Sequence, residues 1–135
     1  MSNTSVVKRF IGKWVLDVGA SKFEVDKPPK QATLSVEAEK GGILMRTEWR
    51  DPEDKKGEIE HSLSFDKPVL VNGVEVTLHV GEDESLETVM AKDGVEVART
   101  KRTLSKDGKT LELVQTGTLP DKRQYTNRST FRRGS

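Results

Sequence analysis

Apolar and polar residues alternate in short runs along almost the whole chain. Trp14, Leu16 and Val18 share one side of a first run, with Lys13 and Asp17 on the other. Ala32, Leu34, Val36 and Ala38 oppose Thr33, Ser35 and Glu37, while Ile43, Met45, Thr47 and Trp49 oppose Arg46, Glu48 and Arg50. The rhythm returns in Ile59, His61, Leu63 and Phe65, and again in Val74, Val76, Leu78 and Val80, which leaves His79 outside. Leu111, Leu113 and Gln115 follow, then Tyr125, Asn127, Ser129 and Phe131. A period of two, broken at Gly, Asp, Asn or Pro, predicts an antiparallel all-β fold. Strands are expected near 12–18, 31–39, 43–50, 57–65, 74–81, 85–92, 95–104, 109–117 and 122–133, with a short extra one near 68–72. Val6 to Ile11 reads as one turn of helix closing an end.

The connectors set the registers. Lys40-Gly41-Gly42, Lys92-Asp93-Gly94 and Lys106-Asp107-Gly108 are hairpin-like, and Lys27-Pro28-Pro29-Lys30 is a stiff extended link. The run Val95 to Leu104 has two readings, because Val95 and Val97 lie on one face and Ala98 and Leu104 on the other. A two-residue turn at Asp107-Gly108 sets Leu104 opposite Leu111 and Arg102 opposite Leu113, turning Ala98, Thr100, Arg102 and Leu104 inward. A three-residue turn with a glycine bulge reverses them. We adopt the first, which matches two leucines across the strands. At Asp93-Gly94 we adopt the bulged form, since the two-residue form would turn Met90 outward.

Nine or ten sequential strands leave two exposed edges unless the sheet closes or splits. The fold class expected is therefore a closed antiparallel up-and-down β-barrel, formed by residues 1–135 as one domain. A barrel of this class commonly encloses a cavity. A Greek-key sandwich is the rival, and it needs longer crossovers than these.

Composition narrows the partners. One third of the 135 residues is charged, yet the net charge is only +1, which argues against a dedicated nucleic-acid or acidic-membrane binder. There is no cysteine, so disulfides, thiolate catalysis and Cys-based metal sites are excluded. Met1 to Arg9 lacks the apolar run of a signal peptide, and no segment approaches the ~20 apolar residues of a membrane span. The sequence thus reads as a cytoplasmic monomer or weak dimer without a cofactor, and its Asn3-Thr4-Ser5 and Asn127-Arg128-Ser129 sequons carry little weight.

Several phrases, in order, resemble a bacterial lipocalin-like family of small uncharacterised proteins. They are Gly12-Lys-Trp-Val-Leu16, Ser21-Lys-Phe23, Pro28-Pro-Lys30, His61-Ser-Leu-Ser-Phe-Asp66, Lys92-Asp-Gly94, Ser105-Lys-Asp-Gly-Lys-Thr-Leu111 and Thr116-Gly-Thr118. The likeness spans roughly residues 10 to 132. The wider calycin group, lipocalins and fatty-acid-binding proteins, shares the Gly-x-Trp opening, whose Trp typically seals the closed barrel end. The resemblance implies a small-molecule-binding barrel with no reaction attached. Fatty-acid-binding proteins anchor a carboxylate through an inward Arg-x-Tyr on the last strand and an inward Arg two strands earlier. Here Ser129-Thr130-Phe131 stands at the first place, so that anchor is missing, and Arg102 stands in only for the second. Haem-binding barrels of the nitrobindin type use a late histidine, and none follows His79.

The candidate pocket residues are Trp14, Met45, Trp49, His61, Phe65, Met90, Arg102, Gln115, Tyr125 and Phe131. Their aromatic and Met members would form an apolar wall or plain core. His61, among Ile59, Leu63 and Phe65, is an inward imidazole with three readings: a core histidine bonded to a neighbour, a ligand contact, or a general acid/base. Arg102 either serves a pocket or reaches the open rim and water. Gln115, Tyr125 and Asn127 form a polar group near it, or satisfy one another through water. No metal site is expected, because no second or third ligand shares His61's spacing.

The Gly81 to Ser85 run reads as a solvated acidic loop, and Arg128, Arg132 and Arg133 as a tail paired across strands with Asp17 and Glu112. No Gly-x-Ser-x-Gly elbow or serine partner for His61 supports a hydrolytic triad. The leading expectation is non-covalent binding of a small, largely hydrophobic molecule, with no catalytic residue. The alternatives are a barrel-pocket isomerase or cyclase using His61 with Tyr125 or Arg102, and a structural module with a filled core.

Overall fold

The computed structural model describes residues 3–134; residues 1, 2 and 135 of the expected domain lie outside them. The order is α1 (Asn3–Phe10), β1 (Gly12–Phe23), β2 (Gln31–Glu39), β3 (Gly42–Arg50), β4 (Lys56–Ser64), β5 (Val69–Val71), β6 (Val74–Val80), β7 (Leu86–Lys92), β8 (Val95–Leu104), β9 (Thr110–Thr118) and β10 (Gln124–Arg133). The ten strands form one antiparallel sheet in the order β4-β3-β2-β1-β10-β9-β8-β7-β6-β5. The first strand pairs with the last, Leu16 opposite Phe131, so the sheet curls into a nearly closed barrel. Closure is incomplete at a place the sequence does not mark. The sheet ends at β4 and β5, which lie against each other without joining the ladder.

The helix is two turns rather than the expected one. Its apolar residues Val6, Val7 and Phe10 fall on one face and are buried in the barrel end, while Lys8 and Arg9 oppose the dipole at its C-terminus. Above it the core consists of the alternating inward residues, including Leu34, Val36, Ile43, Leu63, Leu78, Leu86 and Leu111.

Two bulges alter the phase read from alternation. In β1 the pairing runs to Asp17 opposite Thr130 and resumes at Lys22 opposite Arg128, so Val18 to Ser21 face Ser129 alone. Asp17 Oδ1 accepts from the Ala20 N–H at 3.2 Å, and Ser21 Oγ accepts from the Thr130 N–H at 3.1 Å, replacing ladder bonds. Val18 is consequently 37% exposed, not inward, and β1 continues to Phe23, beyond its expected end at 18. Ala38 is also exposed, at the hairpin end of β2, where it borders a surface recess with Asn3 and Gly41.

The second bulge lies in β8. Asp93 and Gly94 both take positive φ (52° and 80°) and form a two-residue turn joining Lys92 to Val95, not the bulged turn expected. The register then shifts so that Met90 faces Ala98, with Val97 as the extra residue. Met90 therefore does pack against the core, although the irregularity is one strand position removed from the turn. Leu104 faces Leu111 and Arg102 faces Leu113, as the adopted register requires. The chain gets there through a turn closed by Gly108 N–H to Ser105 O at 3.0 Å, with positive φ at Gly108 and not at Asp107.

Candidate functional site

The barrel interior divides into three levels. At the closed end Trp14 is fully buried, its indole N–H donating to Phe10 O at 2.9 Å. The Arg133 guanidinium lies 4.1 Å from the Trp14 ring centroid and donates to the carbonyls of Ile11 (2.9 Å), Arg9 (3.0 Å) and Gly108 (3.0 Å). Gly12 makes this possible: its φ is +133°, and a Cβ there would come 2.8 Å from Arg133 Nη1. Arg133 is thus a clasp on the barrel floor and not the paired tail residue expected; Arg132 and Arg128 do reach Asp17 (3.2 Å) and Glu112 (3.4 Å). Phe65 also belongs to this end, where it borders the recess with Val7 and Asp66. Nearby, the Gly81–Ser85 loop is less solvated than its composition predicts, since Ser85 is fully buried.

The middle level is polar. Arg102 projects inward from β8 and donates through Nη1 to Thr88 Oγ1 at 3.1 Å; its Nε is buried without a partner among the described residues. It has no carboxylate within ion-pair distance among them, and desolvation pushes its pKa down to about 10. Arg102 as a whole is partly buried, with Nη1 held by Thr88. His61 projects from β4 opposite Met45, with Nδ1 buried and likewise without a partner. Burial, and secondarily the Arg102 charge, hold its pKa below the ordinary 6.5. The core-histidine reading, which needed a hydrogen bond to a neighbour, therefore lacks that bond at Nδ1. Gln115 Nε2 donates to Tyr125 Oη at 3.3 Å, so those two satisfy each other directly. Asn127 has a different task. Its Oδ1 accepts from the N–H groups of Glu24 (2.9 Å) and Val25 (3.2 Å), and its Nδ2 donates to Val25 O (3.2 Å), which ties the end of β1 to β10.

The depressed His61 pKa has a stability consequence with a definite sign. The unfolded chain takes up the proton at a higher pH than the folded one, so stability is full above pH 6.5 and falls as pH drops through the folded value. Wild type should lose stability in urea between about pH 7.5 and about pH 5.5, and His61→Gln should lose distinctly less. Parallel profiles for the two proteins would contradict this.

The open end is largely apolar, with Lys27 and Asp51 also on its lining, and only partly filled. The side chains of Thr47, Ile59 and Ser129 point inward yet remain half-buried, whereas inward residues nearer the helix, such as Met45 (4% exposed), are packed. A cleft of about 340 Å³ opens here among Leu16, Phe23, Pro29, Thr47, Trp49 and Phe131, with Ser129 on its wall. A larger recess of about 440 Å³ lies beside Trp49, but outward Thr33, Glu48 and Glu58 form much of its wall, so it belongs to the outer surface. Trp49 and Tyr125 lie over the cross-strand glycines Gly57 and Gly117, where any Cβ would collide with their rings.

Of the ten candidate residues, Trp49 and Phe131 meet at the cleft, and His61, Arg102, Gln115 and Tyr125 make the polar level beside it. Met45 and Met90 pack against the core, while Trp14 and Phe65 lie at the closed end, away from the cleft. Alternation missed Phe23, which reaches the cleft only because the β1 bulge restores pairing opposite Asn127.

No family model matches the chain. A 70-residue stretch is 31% identical to small ribosomal subunit protein uS3 of Clostridium tetani, covering 52% of this chain and 32% of that one. The chain thus spans about a third of that relative's length. Among solved structures, zebrafish ileal bile acid-binding protein complexed with cholic acid matches 93% of this chain and 99% of its own at TM-score 0.56 and 9% identity. The siderocalin Ex-FABP matches 93% of this chain and 74% of its own at TM-score 0.42 and 13% identity. The likeness to the zebrafish protein is one of fold alone, and this chain's fold is a ten-stranded antiparallel, nearly closed barrel.

Proposed function

We propose that this protein is a carrier that binds a small, largely hydrophobic molecule non-covalently in the upper half of the barrel. The observation that carries this reading is the unfilled open end, where inward side chains keep free surface around an apolar cleft of about 340 Å³. A core built only for stability would pack these positions as tightly as it packs Ile43 and Leu111. The zebrafish barrel, complexed with cholic acid, supports the reading through shared architecture. Binding energy would come mainly from apolar area removed from water, about 25 cal/mol per Å².

The test uses phenylnaphthylamine, a neutral dye that fluoresces in apolar surroundings. Saturable uptake of one dye per chain is expected. Ser129→Trp, which places an indole in the cleft, should weaken it by ~10-fold or more without lowering Tm appreciably. Unsaturable uptake, or an unchanged Kd in a folded Ser129→Trp protein, would overturn the proposal.

A further inference from the structure

We infer, resting on the carrier reading, that the occupant is a compact, uncharged and flat aromatic molecule carrying a hydroxyl group, with its rings against Trp49 and Phe131. The make-up of the cleft wall is the first reason. The chain has only 2 Trp, 1 Tyr and 4 Phe, yet Phe23, Trp49 and Phe131 all line this cleft, together with Pro29 and Pro52. Core filling does not account for them. At the closed end Phe10 and Trp14 are packed out of water (1% and 0% exposed), whereas Phe23 and Trp49 keep free surface. Ring faces left open in this way gain most from another ring, because aromatic pairs attract beyond the area they bury.

The second reason is shape. Phe131 and Trp49 stand on β10 and β3, and their ladder partners Leu16 and Ala32 make the wall between them on β1 and β2. Ala32 is the small residue of that wall and gives the cleft depth. The Trp49 indole lies over Gly57, where any Cβ would collide with it, so β4 holds the ring in place. Below, Leu34, Val36, Ile43 and Met45 are packed, which closes the path to a long tail. A volume of about 340 Å³ is near the lower end of the ~300–1,000 Å³ of small-molecule pockets, and suits a compact fused-ring molecule. The third reason is polarity. The charged residues on the lining, Lys27 and Asp51, are opposite in sign and belong to the loops at the mouth. Arg102 and His61 do not line the cleft. Its occupant therefore meets no net charge, which favours a neutral molecule. Thr47 on β3 and Ser129 on β10 bring a hydroxyl to either side, and neither has a hydrogen-bond partner among the described residues. Each both donates and accepts, which is what a ligand hydroxyl needs.

Three uncharged probes of nearly equal size test this by calorimetric titration of the full chain at neutral pH. They are naphthol, its saturated and puckered analogue decahydronaphthol, and naphthalene, which lacks the hydroxyl. Naphthol should bind at least ~10-fold more tightly than decahydronaphthol. Trp49→Leu should cut that preference by about 3-fold or more. In a Thr47→Val, Ser129→Ala double variant the affinity ratio of naphthol to naphthalene should fall by about 3–10-fold, the effect of one lost hydrogen bond. Naphthol should also move the indole N–H resonance of Trp49 and leave that of Trp14, which bonds Phe10 O at the far end. Equal or tighter binding of decahydronaphthol by wild type, a measurement that needs no variant, would overturn the inference. So would a shift confined to Trp14, or ratios unchanged in the folded variants. If naphthol, decahydronaphthol and phenylnaphthylamine all fail to saturate, it is the carrier reading that falls.

Discussion

Trp14→Ala should be the most damaging single substitution among those considered, lowering stability by about 4 kcal/mol. The indole is fully buried, its N–H bonds Phe10 O at 2.9 Å, and its face carries the Arg133 guanidinium at 4.1 Å. Truncation opens a large cavity beneath the helix, which costs about 3–5 kcal/mol for aromatic-to-Ala changes in cores. Loss of the cation–π contact adds about 0.5–1 kcal/mol, because Arg133 is exposed. Arg133 also holds three carbonyls, from Arg9, Ile11 and Gly108, and loses the surface that orients it. Since whole domains are stable by only about 5–15 kcal/mol, much of the total is at stake. Urea unfolding checks this, with Arg133→Met, which keeps some packing on the ring, expected to lose about 1–2 kcal/mol. A Trp14→Ala loss under about 1 kcal/mol would show that the closed end is held by the helix alone.

Arg102→Met should move stability in the other direction, raising Tm by about 3–8 °C in the unliganded protein. The guanidinium is desolvated enough to bring its pKa down to about 10, yet among the described residues it gains one hydrogen bond, to Thr88, and no ion pair. Losing that bond costs about 1 kcal/mol. Removing an uncompensated buried charge returns about 2–4 kcal/mol, and Met suits neighbours Leu86 and Leu113. The net gain is the mark of a residue kept for function against stability. Thermal melts settle the sign, and a variant less stable than wild type by more than about 1 kcal/mol would make Arg102 a structural residue.

The candidate site was legible in part, and the boundary follows the range of the interactions involved. His61 and Arg102 were identifiable as inward because alternation on β4 and β8 is a local property, once Leu104 is matched to Leu111. That Asn127 would be consumed by the Glu24 and Val25 backbone was not, since its partners lie more than a hundred residues away in the chain. Phe23 was invisible for a related reason: a bulge of Val18 to Ser21 resets its phase, and the Ser21 hydroxyl that stabilises it bonds Thr130 across the sheet. Trp14 and Phe65 looked like wall residues because periodicity reports which face a side chain takes, never how far along the barrel axis it lies.

By itself, the sequence determined that this chain forms consecutive antiparallel strands, most of their inward faces, and several of their turns. Side-chain alternation and turn chemistry act over two to five neighbouring residues, so both are written locally. Tertiary structure alone decided where the ladder breaks, between β4 and β5, which aromatic seals the floor and which rims the mouth, and that Arg133 clasps Trp14. It also decided that Arg102 Nε and His61 Nδ1 are buried without a partner among the described residues. Those outcomes depend on strand tilt, register shifts and curvature summed around the whole barrel, and such sums are fixed only when distant strands meet.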